Sequence, residues 1–378
     1  ILSNILITLL IFFKIKLFKL NVGRIGHLVE IYFLYTLKKK HDQKTIFLCY
    51  LYDKKNICND FIFSKFKKEL KIIPSVFGNF IEKLMNYAEI SQEKKSSVFA
   101  FNIHNKKSGW ENYNGEILNI NLKTEEENNF EKFLKLNNIT KPYICLNLWS
   151  FEHLKNTYKN IDWSHHDLRI SKSSNYYDLI NYISEKNMNI VIMGHDKHKF
   201  KNIKSDKIFN YSEFRNDEID FFLIKNCYCY ISDCTGLDYL AFTLKKPMLL
   251  NTPFLNFFFN KNKNIIYLIK YQFNKRKNKI SNLKDMLYED KTLFKVKSEY
   301  YKKKEILIKD NSSIEILKAY KNLENLIKNN KCDQSVEKYT HLFWNYYSKY
   351  INEKNYLERS HYNSGPYPFI FNNLDIES

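Results

Sequence analysis

Hydroxyl residues and a glycine follow one apolar run in a pattern that suits anion binding. The stretch "CYCYISDCTGLDYLAF" reads as a strand that ends at Ser232, then Thr235, Gly236 and Leu237, then a helix. Glycine lets a ligand approach the main chain, and amide groups at the start of a helix attract negative charge. We therefore expect these four residues to bind a diphosphate group. The alternative is a helix cap and tight turn that serve folding alone.

A second polar group lies in the stretch "DWSHHDLRIS". Arg169 can hold a phosphate through two hydrogen bonds, which a lysine cannot do, and Asp167 lies close to it in sequence. His165, His166 and Asp167 resemble a metal-binding cluster, but neighbouring histidines in a loop are a weak signal, and we predict no metal. A surface loop without a functional role is the other interpretation.

The third group is a strand-to-helix turn near the start of the chain. Gly23 and Gly26 flank Arg24, without the full glycine fingerprint of a dinucleotide site. His27 and Glu30 are three residues apart, so they share one helical face, and either could act as a general base. At the start of a helix, the dipole would keep His27 neutral. A cap interaction at the helix start is the alternative.

Strand-like and helical patterns alternate through both halves of the chain and must position these groups. Apolar strands such as those predicted at 45–52 and 143–149 are followed by helical segments, which predicts parallel α/β sheets. The carboxyl ends of parallel strands meet at one edge, where ligands bind. We predict one domain over 1–138, a second over 139–305, and a helical tail over 306–378 that packs back on the body.

The net charge and the cysteine content indicate which partners and which cellular compartment to expect. The chain has 378 residues and a formal net charge of +19, which alone would indicate nucleic acid or an anionic membrane. The lysines are scattered and lack a glycine-aromatic RNA-binding signature, so we predict no nucleic-acid partner. Seven cysteines without a CxxC pair indicate buried apolar residues in a reducing compartment, the cytoplasm.

The opening of the chain is apolar. Residues 1–13 are too few for a membrane-spanning helix, which needs about 20 residues. Lys14, Lys16 and Lys19 follow them, so the segment could seat the protein peripherally on the anionic inner face of a membrane. The alternative is a buried segment that leads into the first strand.

Three stretches together resemble a family of bacterial GT-B glycosyltransferases associated with surface polysaccharide genes. They are "GRIGHLVEIYFL", the region from "SHHDLRIS" to "NIVIMG", and the region from "YSEFRND" to "LLNTPF". The match is best over 163–254 and recognisable over 23–34. The turn at 232–241 is also similar to the donor-phosphate turn of heptosyltransferases, with Tyr239 where those often carry histidine. The resemblance implies a GT-B fold, in which two Rossmann-like domains face a cleft.

The resemblance also implies an activity. It predicts a metal-independent, hexosyltransferase-type enzyme that needs no cofactor and moves a sugar from a nucleotide-sugar donor to a surface glycan or lipid-linked acceptor. The C-terminal domain would hold the donor and the N-terminal domain the acceptor and base. The family tends to carry histidine, arginine and aspartate where this chain has Asn147, Trp149 and Ser150. A sugar-nucleotide epimerase and a non-catalytic basic protein that binds membrane or nucleic acid are the rival predictions.

Overall fold

The computed structural model describes most of the chain, and the described residues are 2–29, 44–51, 57–68, 70–87, 98–101, 118–150, 164–194, 200, 203, 205–253, 264–289, 298–353 and 369–371. Contacts divide the chain into two compact units, Ile1–Lys123 and Thr124–Ser378. The cleft that a GT-B fold would place between two domains stays a prediction.

The first unit is a parallel α/β layer. Its sheet has the order β3-β2-β1-β4, and each neighbouring pair is parallel. This strand order is that of one half of a doubly wound sheet, and it reverses at β1. Ligands of such sheets bind where the order reverses, so the turn after β1 lies at the edge where a ligand would bind. The elements are α1 (Leu2–Phe12), β1 (Ile15–Leu20), α2 (Ile25–Val29), β2 (Ile46–Leu51), α3 (Asp60–Lys67), β3 (Lys71–Ile72), α4 (Ser75–Tyr87) and β4 (Phe99–Phe101).

The second unit is larger and also α/β. Its main sheet has seven strands in the order β14-β10-β9-β8-β5-β6-β7, all paired in parallel. Its elements are α5 (Thr124–Leu136), β5 (Tyr143–Asn147), α6 (Tyr177–Glu185), β6 (Asn189–Ile192), β7 (Ile208–Asn210), α7 (Asp217–Asn226), β8 (Cys229–Ser232), α8 (Asp238–Thr243), β9 (Met248–Thr252), β10 (Ile265–Ile269), β11 (Tyr271–Asn274), β12 (Lys279–Ile280), α9 (Leu283–Glu289), α10 (Ser298–Lys303), β13 (Ile306–Lys309), α11 (Ser313–Asn329), α12 (Gln334–Glu353) and β14 (Phe369–Ile370).

The order of six of these strands, β7-β6-β5-β8-β9-β10, is that of a Rossmann sheet, so the predicted parallel α/β architecture is confirmed. The order reverses between β5 and β8. Every residue of β5 and β8 is buried, as their continuous apolar runs predict for strands covered on both faces. Asn147 and Ser232 end these strands in register with each other, so both lie at the switch point.

Two features of the second unit, the place of helix α5 and a small sheet, differ from the sequence-based description. Helix α5, which the sequence analysis assigned to the first domain, lies with the second unit, where Phe130 stacks on Phe222 of α7 at 5.3 Å. A small antiparallel sheet, β12-β11-β13, was not predicted, because its strands have only two to four residues. In the tail, α11 packs on α6 and β10, and β14 adds to the sheet beside β10.

Candidate functional site

The turn between β8 and α8 presents main-chain donors at the switch point. The amide groups of Gly236 and Leu237 donate to no acceptor within the described part of the chain, whereas the Thr235 amide faces the Asp238 carboxylate and favours its charged form. The preceding residue, Cys234, has the left-handed conformation with φ +60°. Successive amides beside a left-handed residue form concavities that bind anions. The turn therefore offers two neighbouring hydrogen-bond donors to a ligand.

The hydroxyl groups of the turn point inward. Ser232 Oγ and Thr235 Oγ1 both donate to Oδ1 of Asp238, at 2.6 and 2.8 Å. Asn147 Nδ2 donates to Thr235 Oγ1 at 2.7 Å and to the Tyr230 hydroxyl at 2.9 Å. Each hydroxyl proton therefore holds the turn together, and the donor-binding role of Ser232 and Thr235 stays a prediction.

Asp238 is the centre of this arrangement. Its side chain is fully buried, and Oδ2 has no hydrogen-bond partner among the described residues. Burial raises the pKa of this carboxyl to about 7, although the bonds from Ser232 and Thr235 favour its charged form. Asp238 was not a candidate residue in the sequence, because an aspartate in the first turn of a helix is ordinarily a solvated one.

The length of helix α8 and the conformation of Gly236 also differ from the prediction. Helix α8 has six residues, less than two turns, so its dipole is too short to be the main attraction for an anion. Among the described glycines, Gly194 is the one with positive φ, at +96°. Gly236 is half-buried, and the strained position of its turn is Cys234. Gly194 instead lies against Asn147, where an added Cβ would be 2.9 Å from Oδ1.

Arg169 lies beside this turn, as predicted. It ends a 3₁₀ helix, Ser164–Arg169, and its Nη1 donates to the carbonyl oxygen of Cys234 at 3.1 Å. The guanidinium also lies over the ring of Trp149, 5.4 Å from its centroid, a cation–π distance. The structure thus brings a half-buried cation and the two amides together, although 65 residues separate Arg169 from Cys234.

A buried lysine holds the backbone at Arg169. Lys270 Nζ donates to the carbonyl oxygens of Arg169 and Ile170, at 3.1 and 3.0 Å, and to Asp310 Oδ1 at 2.8 Å. The Lys270 side chain is fully buried, so these three acceptors replace its hydration. The only sequence signal for it is a lysine placed directly after the apolar strand β10.

A second buried network ties the turn to the segment after Arg169. Asp233 Oδ1 accepts hydrogen bonds from the Tyr176 hydroxyl at 2.5 Å and from Ser171 Oγ at 2.9 Å. Asn251 Nδ2 donates to the Tyr176 hydroxyl at 3.2 Å. Burial and the neighbouring Asp233 carboxylate raise the pKa of Tyr176, so this phenol stays protonated and donates.

The other residues of the "DWSHHDLRIS" stretch have different surroundings. Asp167 is exposed on the 3₁₀ helix, while His166 is buried and its ring lies 4.5 Å from that of Trp149. Within the described ranges, no group of three or more histidine, cysteine, aspartate or glutamate side chains is arranged to hold a metal ion.

In the first unit, the turn after β1 has the predicted position. Gly23 and Arg24 lie between β1 and α2, Gly26 is the second residue of α2, and all three are half-buried. His27 is the third residue of α2, is half-buried, and its amide donates to the Arg24 carbonyl oxygen at 3.0 Å. Glu30 lies outside the described residues, so its pairing with His27 stays a prediction.

Comparisons with known proteins give structural neighbours only. No family model matches the chain, and no curated protein matches it. The chain is similar to a family 9 glycosyl transferase from Veillonella parvula at a TM-score of 0.46 and 11% identity, covering 82% of this chain and 97% of that one. It is also similar to Escherichia coli ADP-heptose LPS heptosyltransferase II, at a TM-score of 0.40 and 10% identity. This match covers 62% of this chain and 84% of that one. A further neighbour is the E. coli heptosyltransferase WaaC with ADP-2-deoxy-2-fluoro heptose. Its TM-score is 0.33 and its sequence identity is 11%, and the match covers 67% of this chain and 92% of that one.

Proposed function

We propose that the protein is a GT-B glycosyltransferase that moves a sugar from a nucleotide-activated donor to a surface glycan or lipid-linked acceptor. One observation carries this proposal: the amides of Gly236 and Leu237 have no described acceptor and lie beside the Arg169 guanidinium at the switch point of a Rossmann-ordered sheet. Phosphate groups bind to such amide clusters, and arginine matches their geometry.

The same groups would serve the chemistry of transfer. When the bond between the anomeric carbon and the diphosphate oxygen breaks, the leaving diphosphate takes the electron pair and gains negative charge. Amides and a guanidinium fixed in place before the reaction stabilise this charge without reorganisation. Lys270 and the Asp233 network fix the two segments that carry them.

The acceptor side is assigned to the first unit by the resemblance of the Gly23–Gly26 turn. The acceptor hydroxyl would form the new bond to the anomeric carbon and give its proton to a general base, His27 or Glu30. We place the reaction in the cytoplasm. The proposal includes no metal and no further cofactor.

A ligand screen tests the proposal. A set of nucleotide sugars and free nucleoside diphosphates is added to the full chain, and the melting midpoint is measured. A ligand at a hundred times its Kd should stabilise the folded state by about 2.7 kcal/mol. Arg169→Ala should lose this stabilisation, whereas Arg276→Ala, at an exposed arginine paired with Glu305, should keep it.

Two results would contradict the proposal. The first is that no nucleotide ligand raises the midpoint. The second is conversion of a nucleotide sugar to its epimer in the absence of any acceptor, which would assign the protein to the epimerases instead.

A further inference from the structure

Helix α1 is apolar on both of its sides. Ile7 and Leu10 are buried in the core of the first unit. Ile5, Leu9 and Phe12 lie on the opposite face, and Phe12 is 76% exposed. A helix on the surface of a soluble protein ordinarily carries polar residues on its outer face. The outer face of α1 therefore needs an apolar covering.

Helix α4 has a second exposed apolar group. Val76, Phe77 and Phe80 are 78%, 63% and 54% exposed, and their spacing places them on one side of the helix. The opposite side is tightly packed, since a Cβ added to Gly78 would lie 2.1 Å from Cγ of Tyr50. Rotation of α4 to bury the aromatic rings is thus prevented by its contact with the sheet.

The two groups belong to one surface. Residues of α1 and α4, including Ile7 and Ile81, pack on the same cluster around Leu17 and Tyr50, which lie on one face of the sheet. The two helices also contact each other. Their outward residues therefore form a joint apolar face, which consists of Ile5, Leu9, Phe12, Val76, Phe77 and Phe80.

The charge around this face is strongly positive. The described residues of the first unit include eleven lysines and arginines but only two carboxylates, Asp60 and Glu82, and Glu82 pairs with Lys19 at 2.7 Å. Lys14 is the second residue after α1, and Lys83 lies on α4; both are exposed. Such lysines attract the head groups of anionic lipids. An exposed apolar face with lysines at its border suits an anionic lipid surface, in which a hydrocarbon layer lies beneath negatively charged head groups.

We propose that the apolar face of α1 and α4 docks on an anionic lipid surface, with its side chains in the interface and the lysines at the head groups. No helix in the described part of the chain is long and apolar enough to cross a membrane, so the contact would be interfacial. The proposal does not depend on the proposed glycosyltransferase function, since it needs no nucleotide ligand.

Vesicle co-sedimentation of the full chain tests this. We expect binding to phosphatidylcholine vesicles that contain phosphatidylglycerol, and weaker binding to phosphatidylcholine alone. The double variant Phe12→Glu with Phe77→Glu should lower partitioning by about tenfold or more, since each ring buried in lipid contributes on the order of a tenfold change. Leu136→Glu is the matched control, because Leu136 is 71% exposed in the second unit, and it should bind as the wild type does.

A second variant distinguishes a loss of lipid binding from a folding defect of the glutamate variant. Lys14→Gln with Lys83→Gln changes only exposed polar positions, and it should weaken binding to the anionic vesicles by about fivefold or more. The proposal is overturned if the wild type binds neither vesicle, or if the folded glutamate variant binds as well as the control. It is also overturned if the wild type is a dimer that the glutamate variant dissociates, which would assign the face to self-association.

Discussion

Arg169 donates a hydrogen bond from Nη1 to the carbonyl oxygen of Cys234 at 3.1 Å, close in sequence to the amides of Gly236 and Leu237, which have no described acceptor. This contact joins a cation from the segment after β5 to the turn after β8, across the point where the strand order reverses. A ligand bound by the amides of Gly236 and Leu237 would therefore also be within the field of the guanidinium.

Replacement of Arg169 by alanine should weaken binding of a nucleoside diphosphate. Loss of a charge-assisted hydrogen bond costs about 1.5 to 3 kcal/mol, or roughly ten- to a hundredfold in Kd. Isothermal titration with the best ligand of the screen measures this change. Arg169→Lys should recover only part of the affinity, because an ammonium group lacks the bidentate geometry. Equal affinity in the folded alanine variant and the wild type would remove Arg169 from the site.

Substitution at Gly236 separates a ligand-binding role from a folding role. Because Gly236 lacks the positive φ found at Cys234, we expect Gly236→Ala to keep both the melting midpoint and the ligand affinity close to those of the wild type. The branched side chain of Gly236→Val should block approach to the amides and reduce affinity much more than stability. If valine instead lowers the midpoint strongly and leaves the affinity of the folded fraction unchanged, the turn serves folding alone.

The buried carboxyl of Asp238 should make stability depend on pH. Its pKa rises from 3.8 to about 7 on folding, so between these values the folded state binds more protons than the unfolded state. The free energy of unfolding contributed by this group therefore decreases as pH rises through this window, by up to about 1.4 kcal/mol per pH unit. Chemical denaturation at several pH values measures the slope.

Asp238→Asn is the matching variant. Both hydroxyl bonds go to Oδ1, which an asparagine retains, and Oδ2 has no described partner to lose. We expect the asparagine variant to show a flatter pH dependence and to be at least as stable as the wild type at about pH 8. An unchanged slope would mean that Asp238 stays ionised in the folded protein.

His27 is the proposed general base. His27→Ala should lower turnover by roughly a hundredfold, a typical contribution of a general base, while diphosphate affinity stays unchanged. His341→Ala, at an exposed histidine of α12, is the control. Glu30→Gln should cause a smaller loss if Glu30 only orients the imidazole. A larger loss of turnover at Glu30 than at His27 would assign the role of general base to the Glu30 carboxylate. Full activity of both variants would show that this turn is not part of the catalytic site.

The sequence predicted the architecture because the strands are apolar without interruption. Runs such as that of β5 are buried along their whole length, and the helices between them have the expected spacing, so the parallel arrangement follows from pattern alone. The pattern also placed Arg169 and the turn at one sheet edge. The short antiparallel strands gave no comparable signal, because two to four residues are too few to show a period.

The polar interior of the site was not predictable in this way. Whether the hydroxyl of Ser232 or Thr235 faces a ligand or Asp238 depends on rotamers set by packing, which a residue pattern does not contain. The role of Lys270 depends on contacts with Arg169 and Asp310, which are 101 and 40 residues away in sequence. The sequence therefore brings Arg169 and the turn together, but it does not show the polar contacts beneath them.

The amide of Gly236 offers the most direct measurement of the central claim, that the turn at 235–237 binds a diphosphate. The chain has only eight glycines, so isotope labelling of glycine alone gives a sparse amide NMR spectrum, in which Gly236→Ala identifies the Gly236 signal by its loss. The experiment is a titration of the labelled full chain with a nucleoside diphosphate. We predict that the Gly236 amide proton shifts downfield and saturates with the same Kd as calorimetry, as expected for a new hydrogen bond to phosphate. Saturable diphosphate binding that leaves the Gly236 signal unmoved, or no binding of any nucleoside diphosphate, would contradict the account.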